Sequence, residues 1–335
     1  MNHEIIISAA GQQSQDLALC EVSPKDQKWD WHKQNTQTIS GLFGEEDKYQ
    51  NLAKRLSFCA LLLSFRAEPR EDTGEIKLAL QNAMFCKVRH CPICGWRRAM
   101  RNIARFYERM PSVLDAYPKA SWLFLTLTVQ NPEMCDLRAT LQDMNKAFKR
   151  MIELQSWPAL GYIRTTEITR SDDGKPHPHF HCLLLVPHSY FQGGVYLSAQ
   201  AWSDIWRKCL RADYQPVIDI RKVKAESEKA KELEKTEGKI AGLKAAVLET
   251  LKYATKVEDL MSDVKFLYGI TEQLHKLRFL ATGGVLKDFL SDDVSEEEMI
   301  KPGGEEEETD VSEDAPLVLF SYRKKERKYR KVSQK

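Results

Sequence analysis

The stretch GKPHPHFHCLLLVP, residues 174–187, places His177, His179 and His181 at alternate positions directly before a run of branched apolar residues. Successive side chains of a strand point to opposite faces. The three imidazoles therefore share one face, while Phe180, Cys182, Leu184 and Val186 take the other. A short apolar run bounded by Pro predicts a buried strand. Two imidazoles at i and i+2 can converge on one ion just off the sheet. Satisfied structural histidines are the alternative reading.

Just upstream, GYIRTTEIT (161–169) reads as a second strand and RSDDGKP as the turn of a β-hairpin. If the turn is centred near Asp172–Asp173, Glu167 lies opposite His179 and Thr165 opposite His181. Directly paired residues are close enough for Glu167 to join the histidines, and a one-residue slip would turn it to the other face. Two His and one carboxylate suit a divalent cation with open positions, Mg²⁺ or Mn²⁺. His177, between two prolines, reads as a supporting group rather than a ligand.

Further out, SWLFLTLTVQN (121–131) predicts a strand. Helices are expected over about 136–154 and over 197–211, where Ser198 is a plausible cap, and PVIDIRKV (216–223) reads as a strand. A polar insertion (224–239), one long helix (240–261) and one or two helices within 265–290 follow. On the N-terminal side a helix or two is expected around 27–43, another from Asp47 through KYQNLAKRLSFCALLL, and a strand or extended entry over 77–86. Residues 95–110 form an amphipathic helix, with Ala99, Ile103, Phe106 and Met110 on one side and Pro111 as its break. The expected fold is α+β, an antiparallel central sheet with helices packed on one side, plus a small cysteine region. The expected divisions are 1–48, of uncertain role; 49–115, zinc-binding and Arg-rich; 116–290, catalytic; and 291–335, an acidic linker and basic tail expected to be disordered.

Cys86, Cys91 and Cys94 form C-x₄-C-x₂-C, with Cys59 upstream as a fourth thiolate and His90 as its competitor. This spacing predicts structural Zn²⁺, with buried free cysteines as the alternative. Such a knuckle would fix the start of the following helix, whose Arg97, Arg98, Arg101 and Arg105 would meet phosphates or form a solvated face.

The chain has 335 residues, 42% hydrophobic and 29% charged, with 8 Cys. It is long enough for one large domain or two smaller ones. No apolar stretch reaches the ~20 residues of a membrane span, and the IIISAA run has no basic leader of a secretory signal. The expectation is a cytoplasmic protein with reduced thiols. A net charge of +2 hides an asymmetry: 291–314 carries −11, 315–335 carries +7, and the first 290 residues +6. That distribution suits a polyanionic ligand.

In LETLKYATK (248–256), Glu249, Tyr253 and Lys256 follow at i, i+4 and i+7, which places them on one side of a helix. A Tyr titrating near ~10 is mostly neutral at neutral pH. A neighbouring Lys⁺ and a carboxylate base would help make it a nucleophile. Charged residues flanking a half-buried Tyr are a common structural pattern, so this motif gains its weight from the metal site.

Together, HPHFHCLLLV, FLTLTVQN upstream, LETLKYATK downstream, FCKVRHCPICGWRR and TEQLHKLRFLATGGVLKDFL resemble the HUH endonucleases. Their order resembles that of the rolling-circle replication initiators of bacterial plasmids, over approximately residues 50–290. The resemblance implies that His179 and His181 bind a divalent cation and that Tyr253 nicks single-stranded DNA, leaving a 5′-phosphotyrosine and a free 3′-OH. It implies that Glu249, one turn before the tyrosine, activates water for the terminating cleavage. Plasmid origin DNA, a host helicase and a host polymerase are the implied partners. A mobilisation relaxase or transposase, and a non-catalytic zinc-containing DNA-binding regulator, are the competing functions.

Overall fold

The computed structural model describes residues 17–69, 75–193, 195–223, 239–251, 255–287, 299–300 and 311–332. After a single helical turn at Leu19–Val22, the main elements begin with α1 (Lys28–Phe43), α2 (Gln50–Phe58), β1 (Leu62–Pro69), β2 (Ile76–Ala83) and α3 (Pro92–Ala116). Then come β3 (Ser121–Thr128), α4 (Leu137–Ile152), β4 (Gly161–Arg170), β5 (Pro176–Val186), α5 (Ala199–Leu210) and β6 (Ile218–Lys222). The last are α6 (Lys239–Leu251), α7 (Val257–Ser262), α8 (Val264–Gln273), β7 (Leu280–Gly284), β8 (Leu317–Arg323) and β9 (Lys328–Lys331). The fold is α+β, and the pairings in both sheets are antiparallel. The chain divides into two compact units, Met1–Arg101 with Val294–Lys335, and Asn102–Asp293.

The first unit carries a sheet of order β2-β1-β8-β9. Its buried face, with Leu63, Phe65, Phe320 and Tyr322, receives α1, whose Trp29 meets Phe65 edge-on at 6.5 Å between ring centroids. Residues 28–43, of uncertain role by sequence, therefore complete this core. The helix expected from Asp47 into the CALLL run stops at Phe58, and Ala60 adopts φ +47° before β1 begins. Periodicity cannot separate helix from strand in so short an apolar run. Here the pull of Cys59 toward the other cysteines decides. Pro111 does not end its helix either, because α3 runs through it to Ala116. Pro111 is exposed, so water can meet the carbonyl its missing N–H leaves open.

The tail corrects a further expectation. Residues 317–323 and 328–331 are strands, not disorder. The high charge conceals an alternating buried set, Phe320, Tyr322 and Tyr329, which closes on the first unit's core. The 224–239 insertion up to residue 238, residues 288–290 of the stretch expected to be helical, and residues 291–298 and 301–310 of the acidic linker lie outside the described residues.

The second unit carries a five-stranded sheet of order β6-β3-β5-β4-β7, with β5 in the centre. Centrality explains the apolar run, since Phe180 through Val186 is buried throughout. On the face of Phe180, Cys182 and Leu184 lie α4 and α5. Phe148 of α4 is 6.0 Å and Trp206 of α5 is 6.3 Å from the Phe180 ring. The Arg164 guanidinium is held 4.1 Å over Phe180 and donates to Asn145 at 2.6 Å. The helices do not keep to that one side. Phe106 of α3 packs 6.4 Å from Trp122, and Thr165 donates to the Thr250 carbonyl of α6 at 2.6 Å, both on the histidine face. The helix expected over 240–261 is also divided. Lys256 is extended (φ −66°, ψ 137°) and α7 starts after it, with Glu258 and Asp259 in its first turn, where they complement the helix dipole.

Candidate metal centre

The β4–β5 hairpin has the central register inferred from its turn: Glu167 pairs with His179, Thr165 with His181 and Thr169 with His177. Gly174 supplies the positive φ of +82° that closes the five-residue loop. The structure thus brings Glu167, His179 and His181 together on one face, all three buried. Glu167 Oε2 lies 2.7 Å from His181 Nε2 and 3.1 Å from His179 Nε2. The other ring nitrogens are engaged behind them. His179 Nδ1 faces the His177 carbonyl at 3.1 Å, and His181 Nδ1 faces Thr126 Oγ1 at 3.3 Å. Such rear hydrogen bonds orient an imidazole so that its Nε2 is presented to a ligand.

This donor set fits a divalent cation. A buried carboxylate shared by two imidazole Nε2 atoms is costly unless its charge is met, and the three ligand atoms already converge. His177 stands behind, its Nδ1 at 2.6 Å from Asn131 Oδ1, its imidazole held below the ordinary value by burial and by His179. Thr126 and Asn131 are supports that the sequence reading missed. The alternation of FLTLT puts Thr126 on the histidine face only once β3 is known to neighbour β5, and nothing local marks Asn131.

Glu249, on α6, brings Oε1 to 3.8 Å from His181 Nε2 and is about a third exposed, with side-chain exposure of 38%. Tyr253 lies outside the described residues. Lys256 is exposed and follows the end of α6, so it does not extend a helical stripe begun by Glu249.

In the first unit, Cys59, Cys86, Cys91 and Cys94 converge and are buried. Cys59 Sγ is 3.6 Å from both Cys94 Sγ and Cys91 Sγ, and Cys86 Sγ is 3.7 Å from Cys94 Sγ. Zinc–thiolate bonds of ~2.3 Å in a tetrahedron require sulfur edges of about 3.8 Å, so the cluster fits Zn²⁺. The fourth sulfur is Cys59 and not a His90 nitrogen. Hydrogen bonds with the other three thiols, then burial, push the Cys59 thiol well up. In Cys91 burial pushes the thiol up, and hydrogen bonding with Cys59, Cys86 and Cys94 together outweighs it and holds the thiol well down. Four buried sulfurs this close together form a donor set that a cation would bind. Fully buried Lys33 donates to the carbonyls of Ser57, at 3.0 Å, and Cys59. Burial pushes its ammonium down to about 8 against the opposing pull of the cysteine cluster.

Arg97 and Arg98 depart from a phosphate-facing role. Arg97 is buried over the Trp29 and Trp96 rings and donates to the Met299 carbonyl at 2.7 Å. Arg98 donates to the carbonyls of Cys94 and Val88, at 3.1 and 3.2 Å, bracing the cysteine turn. Arg101 and Arg105 are half-buried. The i, i+4 spacing could not reveal that the arginine side of the helix turns partly inward.

Residues 77–330 match the family model described as "Replication protein". The chain is similar to a Protein rep of Streptococcus pneumoniae serotype 2, 32% identical over 285 residues covering 83% of each chain. It is 34% identical to a Protein rep of Bacillus amyloliquefaciens over 72% of this chain and 73% of that one. A Protein rep of Lactiplantibacillus plantarum is 31% identical over 83% of this chain and 91% of its own. No solved structure matches the chain. Among the described residues, no helix is long and apolar enough to cross a membrane.

Proposed function

The chain belongs to the replication-protein family, and from that premise we propose that it initiates plasmid rolling-circle replication by nicking and rejoining one DNA strand at the origin. The observation that carries this reading is the convergence of Glu167 with the Nε2 atoms of His179 and His181 on one buried point beside α6. Mg²⁺ or Mn²⁺ held by those three side chains would polarise the scissile phosphate as a Lewis acid. His177 and Thr126 keep the two imidazoles aimed. Tyr253 attacks phosphorus through its hydroxyl oxygen. The bond from phosphorus to the 3′ oxygen breaks, leaving the 5′ phosphate on the tyrosine and a 3′-OH for a polymerase. Lys256 lies three residues from Tyr253 and could favour the phenolate. Glu249, beside His181, accepts the proton of the water that ends the cycle. Zn²⁺ on the four cysteines serves architecture. The ligands in solution are origin DNA, single-stranded or extruded at the nick, and a host helicase and polymerase downstream.

The test is cleavage of a single-stranded origin library with mapping of the protein–DNA adduct. Tyr253→Phe should abolish nicking and adduct together. His179→Ala and His181→Ala should each lose divalent-dependent cleavage while keeping most DNA affinity, since phosphate contacts supply most of it. Undiminished cleavage by either histidine variant in chelator would remove the metal from the mechanism.

A further inference from the structure

The β8–β9 hairpin is an ordered and strongly basic ribbon. Seven of the nine residues 323–331 are Lys or Arg, and one is Glu. Arg327, at φ +56°, closes the turn, and the Glu326 and Arg327 amides donate to the Arg323 carbonyl at 3.1 and 2.8 Å. One face of the ribbon is anchored. Tyr322 and Tyr329 pair across it and are buried. The Tyr329 hydroxyl donates to the Ala60 carbonyl, and its amide donates to Asp30 Oδ1 at 2.8 Å. Gln34 donates to the Arg327 carbonyl at 2.9 Å. The remaining residues, 323 through 328, are exposed.

The charge arrangement is unfavourable for the fold alone. Arg323 and Lys328 are directly paired, and like charges opposite one another destabilise a sheet. Glu326, 3.5 Å from Arg323 and 2.7 Å from Arg330, is the one acid in the stretch. Solubility would be served by the same residues on a coil. Here the backbone is held in advance, which lowers the ordering cost of a binding surface.

We infer that this hairpin grips duplex DNA, entering the major groove with Lys324, Lys325, Arg327 and Lys328 on the flanking phosphates. β8 pairs with β1 only as far as Ser321, so the end that carries residues 323–328 is two-stranded, a shape the ~12 Å major groove of B-form DNA admits. The deep, narrow major groove of an RNA duplex does not. Insertion into a membrane surface would call for apolar side chains among the cations, and the exposed stretch 323–328 (RKKERK) has none; attraction by charge alone is what the vesicle arm below tests. That the duplex held is the origin rests on the function proposed above; the grip itself does not.

The experiment compares the full wild-type chain with a Lys324→Ala, Lys325→Ala, Arg327→Ala, Lys328→Ala variant, on a labelled mixed-sequence DNA duplex across a salt series. Four lost phosphate contacts should lower the slope of log affinity against log salt by about three to four, and weaken binding roughly 100-fold at low salt. A variant with Lys324→Arg and Lys325→Arg should bind as wild type, and melting curves should match throughout, because the side chains changed are exposed. Unchanged slope and affinity in the alanine variant would overturn the inference. So would a loss confined to anionic phospholipid vesicles, or equal binding and equal loss on an RNA duplex. Nicking of a short single-stranded substrate is measured alongside and should persist in the alanine variant. If wild type holds the duplex through these residues but nicks nothing, the nuclease reading falls and the grip stands.

Discussion

Glu249 sits where a carboxylate can serve two steps differently. It lies 3.8 Å from His181 Nε2 yet keeps side-chain exposure of 38%, so water reaches it. Loss of a general base commonly costs ~10²–10⁴-fold. Glu249→Ala should therefore leave the first nick and slow hydrolysis by that order, seen as persisting adducts and overrun products. If the variant fails at the first nick as fully as Tyr253→Phe, the two steps share one base and the division is wrong. His32 offers a second test at this scale. It stacks on Trp96 at 4.5 Å, and burial lowers its pKa from 6.5 to about 3. Between those values the unfolded chain binds a proton that the folded chain refuses. Stability is then full above about 6.5 and falls with pH below it, by about 1.4 kcal/mol per unit. His32→Phe keeps a ring against Trp96 and should flatten that slope in denaturant titrations from pH 7 to about 5.

At the scale of elements, the β4–β5 hairpin carries Glu167, His179 and His181, and β7 holds its outer edge. Gly284 has φ +60°, and a Cβ there would run into the Leu160 carbonyl. Gly284→Ala should cost about 2 kcal/mol or more, because both backbone strain and a clash with main chain oppose it. A melting temperature unchanged from wild type would show that this edge gives way freely. Elements also mark where local reading stops. The hairpin was legible because its period is two and its turn is short. The extended backbone at Lys256 was not, since KAAVLETLKYATKVEDLM has helical composition throughout, and Asp259, accepting the Arg170 amide at 2.9 Å, acts from a distance.

For the whole molecule, the two units bury separate cores, and the cysteine cluster belongs to the first. Chelation or Cys91→Ser should release about one zinc per chain. It should lower the transition reported by the fluorescence of Trp29 and Trp96, and leave the melting of the Phe180 core in place. One transition moving as a block would show instead that the two cores melt together.

The sequence by itself determined what depends on near neighbours: the histidine strand and its partner, the Glu167 register, three members of the cysteine cluster, and an uneven charge distribution. Alternation and turn length are local quantities, so they survive without a fold. Tertiary structure decided what depends on which surfaces meet. It chose Cys59 over His90, turned Arg97 inward over two indoles, and split the helices between both faces of the central sheet. It also drew the charged C-terminal segment into strands, because Tyr322 and Tyr329 found an apolar core far upstream, Tyr329 meeting Ala60 across 269 residues. A side chain's spacing in sequence states which way it points, and only the packed partner states what it meets there.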